Sequence, residues 1–264
     1  MSVIPTADAP TDGSGLPTLS PSTRAARIAR FVGTPLALAL VCVILWAWVS
    51  SQDLLARERT ILTSDRIIEE TIAHLQLTVV ATFFVLAIAI PLGIVLTRPW
   101  ARRIKPFVLG LANAGQATPS IGVLVILAVV WDVGFKVVVV GLVVYSLLPV
   151  LRNTMVGLEQ VDEHVIDAAR GMGLSRRQVL TRIELPLAVP VILAGVRTTL
   201  VIVVGTAALG TFINGGGLGD FINNGIKLRS DAVTYTGAVL TAVLALGVDW
   251  LGGIAEEYLR PRGL

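Results

Sequence analysis

The residues of this chain that could do chemistry are few and lie far apart. His74 is read as having no second His, Cys or carboxylate beside it at metal-ligand spacing, so an interfacial hydrogen-bonding role at a helix entrance is expected of it. The glycine cluster "NGGGLGDFINNG", Asn214–Gly225, lacks a following Lys-Ser/Thr and follows no strand of a βαβ unit. It therefore fails as a phosphate or dinucleotide loop and reads as a tight, mobile, re-entrant turn. No G-x-S-x-G elbow, H-E-x-x-H pair or other catalytic constellation occurs. What remains is non-covalent chemistry. Arg197 and Asp249 are single charges in apolar runs, and Thr118, Ser120, Tyr145, Thr198 and Thr206 put hydroxyls into similar runs. The stretch "DAARGMGLSRRQVLTRIELP", Asp167–Pro186, is charged and glycine-broken between two such runs.

The elements that must carry these residues follow from composition. Only 15% of the 264 residues are charged while 54% are hydrophobic, and the mean hydropathy is +0.80. That is too oily for a soluble domain of this length. Uncharged runs occupy Phe31–Ser50, Leu75–Thr97, Pro106–Trp131, Val137–Leu151 and Ala232–Val248. A sixth, Leu185–Leu209, is interrupted only by Arg197. A bilayer crossing needs roughly 20 apolar residues. The expectation is an all-α membrane protein with about six transmembrane helices and no separate soluble domain. Within the third run, "NAGQATPSIG", Asn113–Gly122, predicts a kink or an unwound turn, with its polar groups packed on small residues or facing a water-filled path. A guanidinium near the bilayer centre costs roughly 2.5–3.5 kcal/mol on insertion scales. Arg197 must therefore snorkel, pair with Asp249, the only other charge within a span, or line a path.

The pI of about 9.4 reflects placement rather than nucleic-acid binding. If the N-terminus is cytoplasmic, inner segments hold Arg24, Arg27, Arg30, Arg98, Arg102, Arg103, Lys105, Arg152, Arg170, Arg176, Arg177, Arg182, Arg260 and Arg262, fourteen of the 21 Lys and Arg. Outer loops hold Arg57, Arg59, Arg66, Lys136, Lys227 and Arg229. The asymmetry predicts both termini in the cytoplasm. Residues 1–23, rich in Pro, Ser, Thr and Gly, read as a disordered cytoplasmic tail, 24–254 as the membrane domain and 255–264 as a cytoplasmic tail. The first run exceeds a cleaved signal's core and reads as a retained anchor. Ser51–Glu70 is expected as an external loop with a short helix. Cys42 is the only cysteine and is expected to pack.

The polar stretch divides into two short helices. "VDEHVIDAAR" suits a helix with Asp162 or Glu163 near its positive end, and "GMG" breaks it. Ser175 with Gln178 forms a capping box that starts a second helix, and Pro186 opens the fifth span. The spacing Asp167-Ala168-Ala169, three residues, Gly173, nine residues, Ile183, one residue, Leu185-Pro186 resembles the EAA loop of ABC-importer permeases, with Asp167 in place of Glu. "ATPSIGVLVIL", "LLPVLRNT", "ELPLAVPVILAGVRT" and "GGGLGD" are similar to segments of osmoprotectant permeases for glycine betaine, choline, carnitine or proline.

The resemblance implies a type I ABC-importer permease fold in a bacterial cytoplasmic membrane. It implies a coupling loop at about 157–186, in which Asp167, Ala168, Ala169, Gly173, Ile183, Leu185 and Pro186 serve ATPase coupling. It further implies a separate ATPase that binds ATP and Mg, an extracytoplasmic binding protein, and a second permease, identical or paralogous. The chain itself is expected to be non-catalytic, with no cofactor and no metal. Thr118, Ser120, Tyr145, Thr198 and Thr206 are the candidates for the translocation path. With three Tyr and five Trp and no aromatic cluster on an outer loop, solute capture is expected to belong to the binding protein. A permease for another small solute, such as an amino acid, and a stand-alone secondary carrier are the competing readings. A carrier would favour inverted-repeat halves and intramembrane carboxylates.

Overall fold

The apolar runs fold as helices that overshoot them, because flanking polar residues continue the backbone hydrogen-bond ladder out of the hydrocarbon. The computed structural model describes residues 21–259, and of 21–30 the backbone alone. It contains α1 (Pro21–Ser50), α2 (Ala56–Ile61), α3 (Ser64–Leu96), α4 (Lys105–Ala117), α5 (Ser120–Val130), α6 (Phe135–Glu159), α7 (Glu163–Gly171), α8 (Arg176–Val179), α9 (Leu185–Ala207), α10 (Gly219–Leu228) and α11 (Asp231–Leu259). No strand occurs among the described residues. Five helical stretches are long and apolar enough to span a bilayer, and the bent pair α4–α5 makes a sixth. The chain is an all-α membrane protein. The tail expected at 1–23 lies outside the described residues except for its last three positions, which begin α1, and α11 continues past residue 254 to Leu259. The last five residues of the expected 255–264 tail also lie outside the described residues.

The third apolar run is broken rather than kinked. Its halves, of 13 and 11 residues, meet at 98°. The cause is local: Thr118 precedes Pro119 and takes extended angles (φ −72°, ψ 136°), as the proline ring demands of the residue before it. At 1.5 Å per residue each half is only about 16–20 Å long, too short to cross alone. The pair nonetheless follows α6 from end to end. Lys105 Nζ lies 2.6 Å from Glu159 Oε1, and Arg152 donates to Asn113 Oδ1 at 2.8 Å. A Cβ on Gly115 would sit 3.2 Å from Val144 O, and one on Gly141 2.5 Å from Leu124 Cδ2. These contacts run in order from the C-terminal to the N-terminal end of α6, so the broken pair traverses the same depth as α6 and counts as one crossing.

α3 starts at Ser64, where the Thr63 hydroxyl accepts from Arg66 N, and its 33 residues extend about 50 Å. The segment expected as an external loop over Ser51–Glu70 therefore ends at Thr63, with α2 as its short helix. α6 packs against both α3 and α9. In lipid, apolar side chains gain nothing by leaving the hydrocarbon for one another, so small residues and close backbones hold helices together. Gly93 of α3 lies on Thr154, Gly157 of α6 on Ala188, and Gly195 of α9 on Pro149 O, which a Cβ would approach to 2.9 Å. Pro149 interrupts the α6 ladder. Beside it, Thr199 Oγ1 of α9 donates to Ser146 O at 3.2 Å, an interhelical bond of the kind worth about 0.6 kcal/mol. α11 packs on α9 and α10, and α1 on α11, where the rings of Trp48 and Tyr235 lie 5.7 Å apart.

Candidate coupling site

α7 is built as its sequence predicts. Asp162 caps it, accepting from His164 N at 2.8 Å. The helix ends in a tight turn in which Met172 N donates to Ala168 O, Gly173 N to Arg170 O and Leu174 N to Ala169 O. Gly173 has φ +87°, a region that an L side chain adopts only with strain. Ser175 then starts α8 through a closed capping box: its N–H donates to Gln178 Oε1 at 2.8 Å, and Gln178 N donates back to Ser175 Oγ at 3.4 Å. Asp167 and Ala168 are exposed, and Asp167 pairs with Arg170 at 3.2 Å. An exposed pair one turn apart contributes little, about 0–1 kcal/mol. Of the two alanines expected on the contact surface, only Ala168 is open. Ala169 is buried and seats α7 on the chain itself.

Pro186 does not open a new helix. α8, a π-helical turn at Leu180–Glu184 and α9 form one uninterrupted helical stretch, Arg176–Ile213 including the 3-10 turn that ends it. A proline ring would strike the carbonyl four residues earlier in a regular helix. The wider π-turn just before Pro186 relieves that crowding, and such turns recur at functional positions. Ile183 is half-buried, and Leu185 packs against the buried cluster of Leu158, Ala188 and Ile192. The surface helix α7 is thus one glycine turn away from a rod that continues through the membrane.

The last residue of the π-turn, Glu184, is buried. Arg98, just past the end of α3, donates to its two oxygens at 2.5 and 3.4 Å. Arg98 Nε also donates to Ile94 O at 3.2 Å, which fixes the guanidinium against the last turn of α3. The sequence marked Arg98 only as a cytoplasmic charge and Glu184 only as a spacer. The available signal was an acid placed directly before an apolar run.

The five hydroxyl candidates do not form one cluster. Thr118 and Ser120 flank the break between α4 and α5, Tyr145 is half-buried on α6 and Thr206 partly buried on α9. Thr198 is exposed and lines an open groove of about 530 Å³ with Ala194, Val201, Arg197, Asp249 and Glu256. None of the other four lines that groove. The hydroxyls of Thr118, Thr198 and Thr206 donate to Ala114 O, Ala194 O and Ile202 O of their own helices, which leaves their oxygens as acceptors. Arg197 is paired: its Nε and Nη2 donate to Asp249 at 2.5 and 2.7 Å, with Glu256 at 3.7 Å.

On the opposite side, His74 and Glu70 clamp the glycine cluster. His74 is fully buried rather than interfacial. Leu218 N donates to its Nδ1 at 3.2 Å, so Nε2 carries the proton and donates to Val204 O at 2.9 Å. Glu70 accepts from Gly217 N at 2.8 Å, and the Thr211 hydroxyl donates to Asp220. The turn that the sequence suggested would be mobile is packed and hydrogen-bonded. Glu70 escaped notice, although it lies four residues before His74 on one helix face. No group of three or more His, Cys, Asp or Glu fit to hold a metal ion occurs among the described residues.

Residues 89–261 match the family of binding-protein-dependent transport system inner membrane components. The chain is 40% identical over 196 residues to the carnitine transport permease protein OpuCD of Listeria monocytogenes, covering 74% of this chain and 87% of that one. It is 36% identical over 195 residues to the choline transport system permease protein OpuBB of Bacillus subtilis (74% and 89%). The osmoprotectant import permease protein OsmY of Salmonella typhimurium is 39% identical over 178 residues (67% and 75%). In fold the chain is similar to a chain of the MetNI methionine ABC transporter in an inward-facing conformation, with TM-score 0.67 at 24% identity, covering 74% of this chain and 96% of that one. With an EAA-spaced helix pair joined to a membrane rod and this kinship over most of its length, the chain belongs to the inner-membrane permease components of binding-protein-dependent ABC importers.

Proposed function

We propose that this permease carries a small osmoprotectant of the glycine betaine, choline, carnitine or proline type into the cell, driven by a separate ATPase and supplied by a separate extracytoplasmic binding protein. The observation that carries the mechanism is the continuity of α7, the Gly173 turn and the α8–α9 rod. ATP and Mg are bound by the ATPase. α7 enters its cleft through Asp167 and Ala168, while Ala169, Gly173, Ile183, Leu185 and Pro186 hold the geometry that passes closure to α9. Both termini face the cytoplasm, so α7 and the ends of α3 and α6 share that side with the ATPase. A second permease, identical or paralogous, completes the membrane unit.

The solute class is supported by the transport functions of the relatives, named for carnitine, choline and osmoprotectants. Thr118, Ser120, Tyr145, Thr198 and Thr206 are proposed to line the path. The threonines whose protons are held by their own helices offer acceptor oxygens, which attract a cationic head group without holding it, as conduction requires.

The test is uptake into proteoliposomes that contain the permease and its ATPase, with ATP inside and binding protein outside. Uptake of carnitine, choline, glycine betaine or proline, but not methionine, is expected. Uptake of methionine alone would refute the solute class, and equal uptake without the ATPase would favour a secondary carrier. Normal transport after substitution of all five hydroxyl residues by Ala or Phe would remove them from the path.

A further inference from the structure

We infer that the ion pair between Arg98 and Glu184 is the pivot that carries movement of the α8–α9 rod into α3, which makes Glu184 and Arg98 positioning residues for transport. The inference rests on the proposed ATP-driven function.

The pair is an unusual choice if stability alone were at stake. Glu184 keeps 7% of its side chain exposed and Arg98 31%, and burying a charge pair in place of apolar residues of similar volume is often neutral or destabilising. What such a pair provides is geometry. Two parallel N–H···O contacts between a planar guanidinium and a carboxylate set both distance and orientation. On the α3 side the guanidinium is also held by Ile94 O, so the fork cannot swing freely. On the other side the carboxylate ends the π-turn, where the regular ladder of the rod is interrupted just before Pro186. The clamp therefore grips the rod at its π-turn, between α8 and α9.

Its position sets the lever. From Arg176 to Glu184 the rod runs about 12 Å, and from Glu184 to Ala207 about 34 Å. A displacement delivered to α8 through the Gly173 turn is then enlarged about threefold at the far end of α9 if the rod turns about the clamp. That far end carries Val204 O, which His74 of α3 holds through Nε2. α3 is thus tied to the rod at both ends, and the movement reaches the glycine cluster that His74 and Glu70 grip.

The experiment uses the full complex in proteoliposomes and reads carnitine or choline transported per ATP hydrolysed. Four chains are compared with the unaltered one: Glu184→Gln, the charge swap Arg98→Glu with Glu184→Arg, the apolar pair Arg98→Leu with Glu184→Leu, and Arg98→Lys. Glu184→Gln and the apolar pair should assemble with the ATPase in the usual ratio and hydrolyse ATP, with at least a tenfold loss of transport per ATP. The charge swap should recover most of that loss, and Arg98→Lys, which keeps the charge but not the fork, should stay impaired. A purely structural pair would instead be rescued by the apolar substitution, because that substitution leaves no charge buried alone. Wild-type coupling in the apolar pair, or in Glu184→Gln, overturns the inference. Absence of ATP-dependent uptake by the unaltered chain would sink the transport reading itself, a result distinct from the pivot's own failure, in which all chains transport alike.

Discussion

Substitution of Gly173 isolates the turn that joins α7 to the membrane rod. Gly173 has φ +87°, and a Cβ built on it meets no atom within 4 Å. Space is therefore no obstacle, and any penalty comes from the backbone. A left-handed conformation costs an ordinary L residue roughly 1–2 kcal/mol, less for Asn and more for a β-branched residue. One to two kcal/mol changes a two-state ratio about 5–30-fold. The fraction of molecules with a correctly aimed α7 should fall in the order Gly, Asn, Ala, Val. Solute-stimulated ATP hydrolysis and uptake, measured together in proteoliposomes, should follow that order, with Gly173→Val inserted in the membrane but inactive in both. Asn and Val are close in size, so the comparison separates conformation from bulk. If Asn is as damaging as Val while Ala is harmless, the effect is steric and the turn argument fails. Full transport by Gly173→Val would return the segment to an ordinary loop.

Other substitutions address the remaining contacts. On a Cys42→Ser background, Ser14→Cys and Ser175→Cys should resist an impermeant thiol reagent in intact cells and Ser64→Cys should react; labelling of Ser175→Cys from outside would overturn the orientation. Asp249→Asn should destabilise the protein in detergent melts by about 1–3 kcal/mol, between the values for surface and buried pairs. Adding Arg197→Gln should restore most of it, and a double variant no better than the single one would argue against a pairing role. Gly219→Ala would drive a Cβ into Ala208 O, so loss of the folded protein on expression is expected and normal yield would contradict the packing of the glycine cluster.

The parts of this account that depend on neighbours in sequence are readable from the chain itself. The Ser175–Gln178 box, the Asp162 cap and the Gly173 turn each need only residues a few positions apart, so local chemistry specifies them. Arg197 and Asp249 could be matched because each stands as a lone charge in or beside an otherwise uncharged apolar run. The rest depends on contacts between distant segments. Pro119 announces a disturbance in the third run, but its 98° bend also reflects close seating on α6 at Gly115 and Gly141. Glu184 meets Arg98 across 86 residues, and Glu70 meets Gly217 across 147. No periodicity records such pairings. Pro186 misleads for a related reason: it looks like a helix start, whereas the π-turn ahead of it lets one helix pass through.

The central claim is that ATP-driven movement enters this permease at α7, and site-specific cross-linking reads that contact directly. A photo-reactive side chain at Asp167, Ala168 or Ala169, in membranes holding the assembled transporter, should label the ATPase from the exposed positions 167 and 168 and not from the buried position 169. The yield at 168 should change when ATP binds, because the cleft closes on the helix. Absence of an ATPase adduct at both 167 and 168, with the complex intact, would contradict the account.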